Sequence, residues 1–241
     1  MLPPLLYKDE ALLVFDKPSG LLVVPDRFDG SRPHLMGMVQ SRFSDACVNV
    51  HRLDGPTSGV VVFARNADIV RKLGVQFETG QVTKRYLALV THSPATTEGL
   101  IEAPLAADPW CPGRMRVHAR GKASRTDYQV RERWRSGHAL LDLAPRTGRT
   151  HQIRVHLAHL GFPVLADSLY GSERGLYLSD LKPRYRAKAG ITERPLLGRL
   201  ALHAQRLVLH HPISDSSVEI TAPLPKDFTV ALKYLRRFQS L

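Results

Sequence analysis

VNVHRLDGPTSGVVVFA, residues 48–64, sets a polar turn between two apolar runs. VNVH and VVVFA read as strands, and the second is apolar on both faces, which suits the middle of a covered sheet. Asp54-Gly55-Pro56 is turn chemistry. A turn explains those three residues but leaves Arg52, Thr57 and Ser58 over, polar groups crowded beside a strand that must be buried. An Asp in such a turn ordinarily bonds its own backbone. Beside a buried strand it also needs a cation or hydrogen bonds to stay ionised. Asp54 is therefore read both ways, as a turn former and as a carboxylate presented for chemistry.

Outward from this turn the elements are short. ALLVF (11–15) is a strand running into the turn cluster Lys17-Pro18-Ser19-Gly20, and residues 34–43 suit a short helix. Residues 66–79 form an amphipathic helix: Asn66 can cap it, Ile69, Val70, Leu73 and Phe77 share a stripe, and Gly80 ends it. VTKRYLALV (82–90) is a strand with Lys84, Tyr86, Ala88 and Val90 on one face and Arg85, Leu87 and Leu89 on the other. From 99 to 145 short strands alternate with Pro and Gly turns, TDYQV and ALLDL being the clearest. Residues 150–160 return to helical period, with Thr150 as N-cap, Ile153, Leu157 and Leu160 buried, and Gln152, Arg154 and His159 facing elsewhere.

Residues 171–198 are basic, broken by Gly and Pro, and carry Tyr177 and Tyr185, which reads as a long loop or insertion. RLALHAQRLVL and SSVEI are further strands. A last amphipathic helix after Pro225 carries Phe228, Leu232 and Leu235. Many strands, few helices and no βαβ alternation predict an α+β fold with a mixed, mainly antiparallel sheet and flanking helices. No composition shift marks a boundary, so the expectation is a single domain over 1–241 with a basic insertion at about 171–198.

The 241 residues carry a formal net charge of +12. That excess points to an anionic partner, nucleic acid first and a membrane surface second. No stretch approaches a membrane span, and the N-terminus makes a poor signal peptide because Asp9 and Glu10 interrupt its apolar part. Cys47 and Cys111 form neither a CxxC pair nor a disulfide framework. The expected setting is a reducing, cytoplasmic one.

Two further clusters could carry chemistry. PRTGRTHQIRVHLAHLG (145–161) surrounds a helix start with Arg146, Arg149 and Arg154. A helix N-terminus already attracts anions, so the cluster suits a phosphate or a partner carboxylate such as Asp54. In TKRYLALV, Lys84, Arg85 and Tyr86 combine charge with an aromatic ring, the set that holds a phosphate and stacks a base. Metal chemistry finds no support: of His151, His156 and His159 only the last two share a helical face, with no acidic partner near. Glycine-rich phosphate loops and a serine elbow are absent, so no nucleotide cofactor is indicated.

In this order the motifs resemble the RluA-type pseudouridine synthase family. The likeness runs through YKDEALLVFDKPSGLLVVP (7–25), HRLDGPTSG, TKRYLALV and GRTHQIRVHLAHLGFPVLADSLYG (148–171). It continues in RLALHAQRLVLHHP (199–212) and APLPKDF (222–228). The resemblance implies the pseudouridine synthase fold and a cofactor-free isomerase, with no metal, acting on uridine in structured ribosomal or transfer RNA. It implies that Asp54 is the catalytic carboxylate and that Tyr86 stacks on the uracil and accepts its C5 proton. Arg149 would pair with Asp54, and Arg52 would help turn the base out of the helix. Lys84, Arg85 and Arg154 are the remaining candidate substrate contacts, and a monomer is expected. Gly55-Pro56 and Ala166 depart from the usual pattern, the last standing where Gly is commoner. No S4-type RNA-binding domain is expected ahead of the catalytic motifs, so Arg174, Lys182, Arg184, Arg186 and Lys188 are expected to extend the RNA footprint.

Overall fold

The computed structural model describes residues 1–27, 29–186, 190 and 192–241. The chain folds as two compact units, Met1–Arg85 with His203–Pro223, and Tyr86–Leu202 with Leu224–Leu241. In chain order the first unit holds β1 (Leu5–Lys8), β2 (Leu12–Lys17), α1 (Leu35–Arg42), β3 (Val48–Asn49), β4 (Ser58–Ala64) and α2 (Ala67–Glu78). Strand β5 (Thr83–Val90) changes unit after Arg85. The second unit continues with β6 (Glu98–Glu102), β7 (Leu105–Ala107), β8 (Met115–Val117), β9 (Arg125–Arg133), β10 (Ala139–Pro145), α3 (Gln152–His159) and α4 (Leu178–Leu181). Strands β11 (Leu202–His210) and β12 (Ser217–Thr221) return to the first unit, and α5 (Lys226–Phe238) closes the second. Two changes of unit fall inside β5 and β11, so no linker composition announces them.

In the first unit β2 lies between β1 and β4, antiparallel to both, and β4 continues to β11 in parallel. β3 adds to β4 and β12 to β11, both antiparallel. All seven residues of β4 are buried, as its unbroken apolar run predicts. Period-two alternation sends Val60 and Val62 with Leu12 and Val14 to a face covered by Ile69 and Leu73 of α2. The opposite face carries Phe15 and Phe63, which meet edge-on with centroids 5.8 Å apart. Asn66 caps α2 through Oδ1, which accepts the Ile69 N–H at 3.0 Å. His34 caps α1 in the same way, its Nδ1 accepting the Gly37 N–H at 3.0 Å.

The second unit is an antiparallel sheet in the order β5-β10-β9-β6, with β7 and β8 paired as a separate hairpin. Its core joins Leu87, Leu89, Leu141 and Leu143 to Ile153 and Leu157 of α3 and to Phe228, Leu232 and Leu235 of α5. The mixed, mainly antiparallel sheets with flanking helices are the α+β arrangement that the strand count predicts. Among the described residues no helix is long and apolar enough to cross a membrane.

Three local expectations need correction. Thr150 does not cap α3: the N-cap is His151, left-handed at φ 55°, with no side-chain cap bond. Gln152 and Arg154 face the interior at 4% and 3% exposure, while Leu160, placed on the buried stripe, is 44% exposed. Hydrogen bonding and ion pairing, invisible to hydrophobic periodicity, decide which face of α3 is buried. The 171–198 segment is not wholly loop. It contains α4, its Leu176 and Leu197 exchange backbone bonds, and Leu176, Leu181 and Leu197 join the core. Lys188 lies outside the described residues.

Candidate functional site

The Asp54 turn is held from outside. Lys17 ends β2 fully buried, at 0% exposure, and its ammonium donates to the carbonyls of Pro18 at 2.9 Å, Leu21 at 2.6 Å and Gly55 at 2.9 Å. Burying a charge among apolar strands is costly unless its donors are met, and three carbonyls meet them here. The Gly20 N–H also donates to the Gly55 carbonyl at 2.8 Å, and Ser19 Oγ donates to the Pro56 carbonyl at 2.7 Å. Thus the Lys17–Gly20 turn clamps the two residues that follow Asp54. The Asp54 carbonyl in turn accepts the Thr57 N–H at 3.0 Å, closing the turn from within.

The residues behind the turn have structural work. Ser58 Oγ lies 3.0 Å from Nδ1 of the buried His203. Gly59 has φ 116°, and a Cβ there would meet the Ala204 carbonyl oxygen at 2.2 Å, so only glycine lets β4 and β11 approach. In front of the turn, His51 stacks on Phe77 at 5.0 Å and accepts the Val62 N–H on Nε2 at 3.1 Å. Desolvation, aided by the Lys84 charge, pushes its pKa down to about 3, so it stays neutral at working pH. Arg52 is exposed and Asp54 half-buried, between the anchors His51 and Thr57. Lys84 and Arg85 are half-buried at the start of β5, and burial lowers the Lys84 pKa.

In the second unit Tyr86 is half-buried, packs against the core and pairs with Leu143. β10 runs from there into the Arg146–Arg149 turn, so Tyr86 and Arg149 belong to the same end of this sheet. The turn rests on a buried chain of hydrogen bonds. Thr147 Oγ1 donates to Gln152 Oε1 at 2.7 Å, which also accepts the Arg149 N–H at 3.0 Å. Gln152 Nε2 donates to Thr126 Oγ1 at 2.9 Å, and Thr126 Oγ1 lies 2.9 Å from His156 Nδ1. His156 Nε2 ends the chain 3.0 Å from the Ala103 carbonyl, and burial lowers this imidazole's pKa. A neutral His156 with its proton on Nε2 satisfies every member. Arg149 itself is exposed, and its Nε donates to the Ala123 carbonyl at 3.2 Å.

Arg154, expected as a substrate contact, is turned inward. Its Nε and Nη2 form a buried bidentate pair with Asp167 at 2.8 and 2.7 Å, and its guanidinium carbon sits 5.0 Å from the Tyr170 ring centroid. Sequence reasoning passed over Lys17, Gln152, Asp167 and Tyr170. The available signals were a lysine closing an apolar strand, and an Asp and a Tyr inside the motif that follows α3.

Residues 11–159 match the family model described as RNA pseudouridylate synthase, so the chain belongs to that family. It is accordingly an isomerase of uridine in RNA. It is 37% identical to the dual-specificity RNA pseudouridine synthase RluA of Salmonella typhi over 93% of both chains. The Escherichia coli K12 protein of the same name is 38% identical over 91% of this chain and 92% of that one. The ribosomal large subunit pseudouridine synthase D of Xylella fastidiosa is 37% identical over 98% of this chain and 70% of its own. Among solved structures, human RNA pseudouridylate synthase domain containing 4 superposes with a TM-score of 0.69 at 28% identity, covering 96% of this chain and 92% of that one.

Proposed function

We propose that this protein converts specific uridines of structured ribosomal or transfer RNA to pseudouridine, with Asp54 as the catalytic carboxylate and neither cofactor nor metal. The observation that carries the reading is the clamp on the Asp54 turn: a buried ammonium and two further donors hold the residues after Asp54, in a chain of the pseudouridylate synthase family. The names of the relatives, one dual-specificity and one acting on the large ribosomal subunit, support the substrate class.

The reaction breaks the C1′–N1 bond, turns the uracil and joins C1′ to C5, releasing the C5 hydrogen. The target lies in a base stack, so it must be extruded first, a step assigned to Arg52. Asp54 attacks C1′ or C6, or removes a ribose proton; each route ends in the same C–C bond. Tyr86 stacks on the freed uracil, holding it without fixing its in-plane orientation, and takes the C5 proton. Arg149 pairs with Asp54 once water is expelled, and Lys84 and Arg85 serve the neighbouring phosphates. Arg154 has a different part, as the buried partner of Asp167. Both units act together as one catalytic domain, as a monomer in the cytoplasm. Cys47 and Cys111 are free thiols, in keeping with that setting.

Total RNA transcribed with 5-tritiated uridine tests the reading without knowledge of the target. Wild-type protein should release tritium, and Asp54→Asn should release none while keeping its circular dichroism spectrum. Turnover by a folded Asp54→Asn protein would overturn the assignment.

A further inference from the structure

We propose that Tyr170 is a positioning residue for Arg149, acting through His151; the inference rests on the role of Arg149 given above. His151 is the last residue between Arg149 and α3, held left-handed at φ 55° and ψ 18° without a cap bond of its own. Its Nδ1 lies 2.8 Å from the Tyr170 hydroxyl, with the two rings edge to face at 5.6 Å. That hydroxyl also accepts the Met115 N–H at 2.7 Å, which ties the β7–β8 hairpin to the same point. The hydroxyl pairs with Nδ1 in either tautomer of the imidazole, as acceptor from a protonated Nδ1 or as donor to a bare one, so the link to His151 holds in both.

Tyr170 is in turn fixed from behind. Asp167 Oδ1 accepts the N–H groups of Leu169 at 3.0 Å and Tyr170 at 3.2 Å, while both Asp167 oxygens hold Arg154. The Tyr170 ring lies 5.0 Å from the Arg154 guanidinium carbon and 5.5 Å from that of Arg114. Arg149 therefore stands between two anchors. Gln152 grips its backbone, its N–H reaching the Arg149 carbonyl at 3.1 Å and its Oε1 taking the Arg149 N–H. The phenol grips the left-handed residue through which the chain leaves Arg149. Removing the phenol oxygen frees His151 to relax out of the left-handed region, and the direction of Arg149 drifts with it.

The experiment is a double-mutant cycle in single-turnover tritium release, with RNA affinity measured alongside. Tyr170→Phe keeps the ring and its guanidinium neighbours, and should slow the chemical step about tenfold or more while changing Kd less than about twofold. In an Arg149→Lys background the same change should cost less than about twofold, because its effect runs through Arg149. A full additional tenfold loss there would make Tyr170 a general structural residue and overturn the proposal, as would a Tyr170→Phe enzyme of wild-type rate. If Arg149→Lys alone reacts at the wild-type rate, the role of Arg149 falls and the positioning role with it. A slow Arg149→Lys with additive losses removes only the positioning role. Should Tyr170→Phe fail to fold, His151→Ala, which loses the bond and disfavours the left-handed backbone, carries the same cycle with the same two outcomes.

Discussion

Ala166 sits at φ 56° with 8% of its surface exposed, a left-handed alanine in the core of the second unit. The strain is about 1–2 kcal/mol, against about 0.5–1 kcal/mol of extra chain entropy for glycine. Ala166→Gly should therefore stabilise the protein by roughly 0.5–1 kcal/mol in urea unfolding, and a loss of stability would mean that the methyl packing dominates. His51 gives a second test at this scale. Its pKa falls from the ordinary 6.5 to about 3 on folding. As pH drops below 6.5 the unfolded chain takes up the proton and the folded chain does not, so stability falls as pH is lowered towards 3. Once well below 6.5, the His51 contribution should fall by about 1.4 kcal/mol per pH unit, and His51→Gln should lack this dependence. Parallel curves for the two proteins would show that His51 titrates normally in the folded chain.

At the level of elements, the Lys17–Gly20 turn and α3 show where the sequence was legible and where it was not. Strands β2, β4 and β5 and helices α2 and α5 announce themselves because apolar spacing alone decides their buried faces. The residues of the Asp54 turn were recognisable from their density of polar groups. Lys17 was not, because a lysine before Pro-Ser-Gly looks like solvent-exposed punctuation until its three carbonyl partners, two local and one 38 residues away, are seen. Gln152 and Arg154 were misplaced for the same reason: their burial is determined by partners on β9 and at Asp167, which periodicity does not register. The clamp also explains why Gly55-Pro56 can depart from the common pattern, since it holds those residues by their carbonyls. Lys17→Met keeps the side-chain volume, takes the ammonium from the Pro18 and Leu21 carbonyls and leaves Gly55 to the Gly20 N–H. It should cost about 2–4 kcal/mol of stability and slow tritium release from saturating RNA. Unchanged release in the folded variant would show that the turn keeps its shape without the ammonium.

Across the whole molecule the net charge of +12 sets how the protein meets RNA. Each phosphate contact contributes about 0.7 to 0.9 to the slope of log affinity against log salt. Neutralising Lys182, Arg184 and Arg186 should flatten that slope by about this amount for each residue that touches phosphate. Arg174 should contribute less, because Asp180 already holds it at 2.6 Å. An unchanged slope would make the segment a bystander. The unit that carries Asp54 is also not one uninterrupted stretch: it is completed by residues 203–223, which supply β12, most of β11 and the His203 and Ala204 contacts to Ser58 and Gly59. In genetic terms, a premature stop codon or frameshift after position 202 leaves codon 54 intact and still removes the neighbours that hold the strand behind it. Late truncations should therefore score as null alleles of the first half of the gene, and complementation by a separately expressed C-terminal fragment would have to restore a strand as well as a domain.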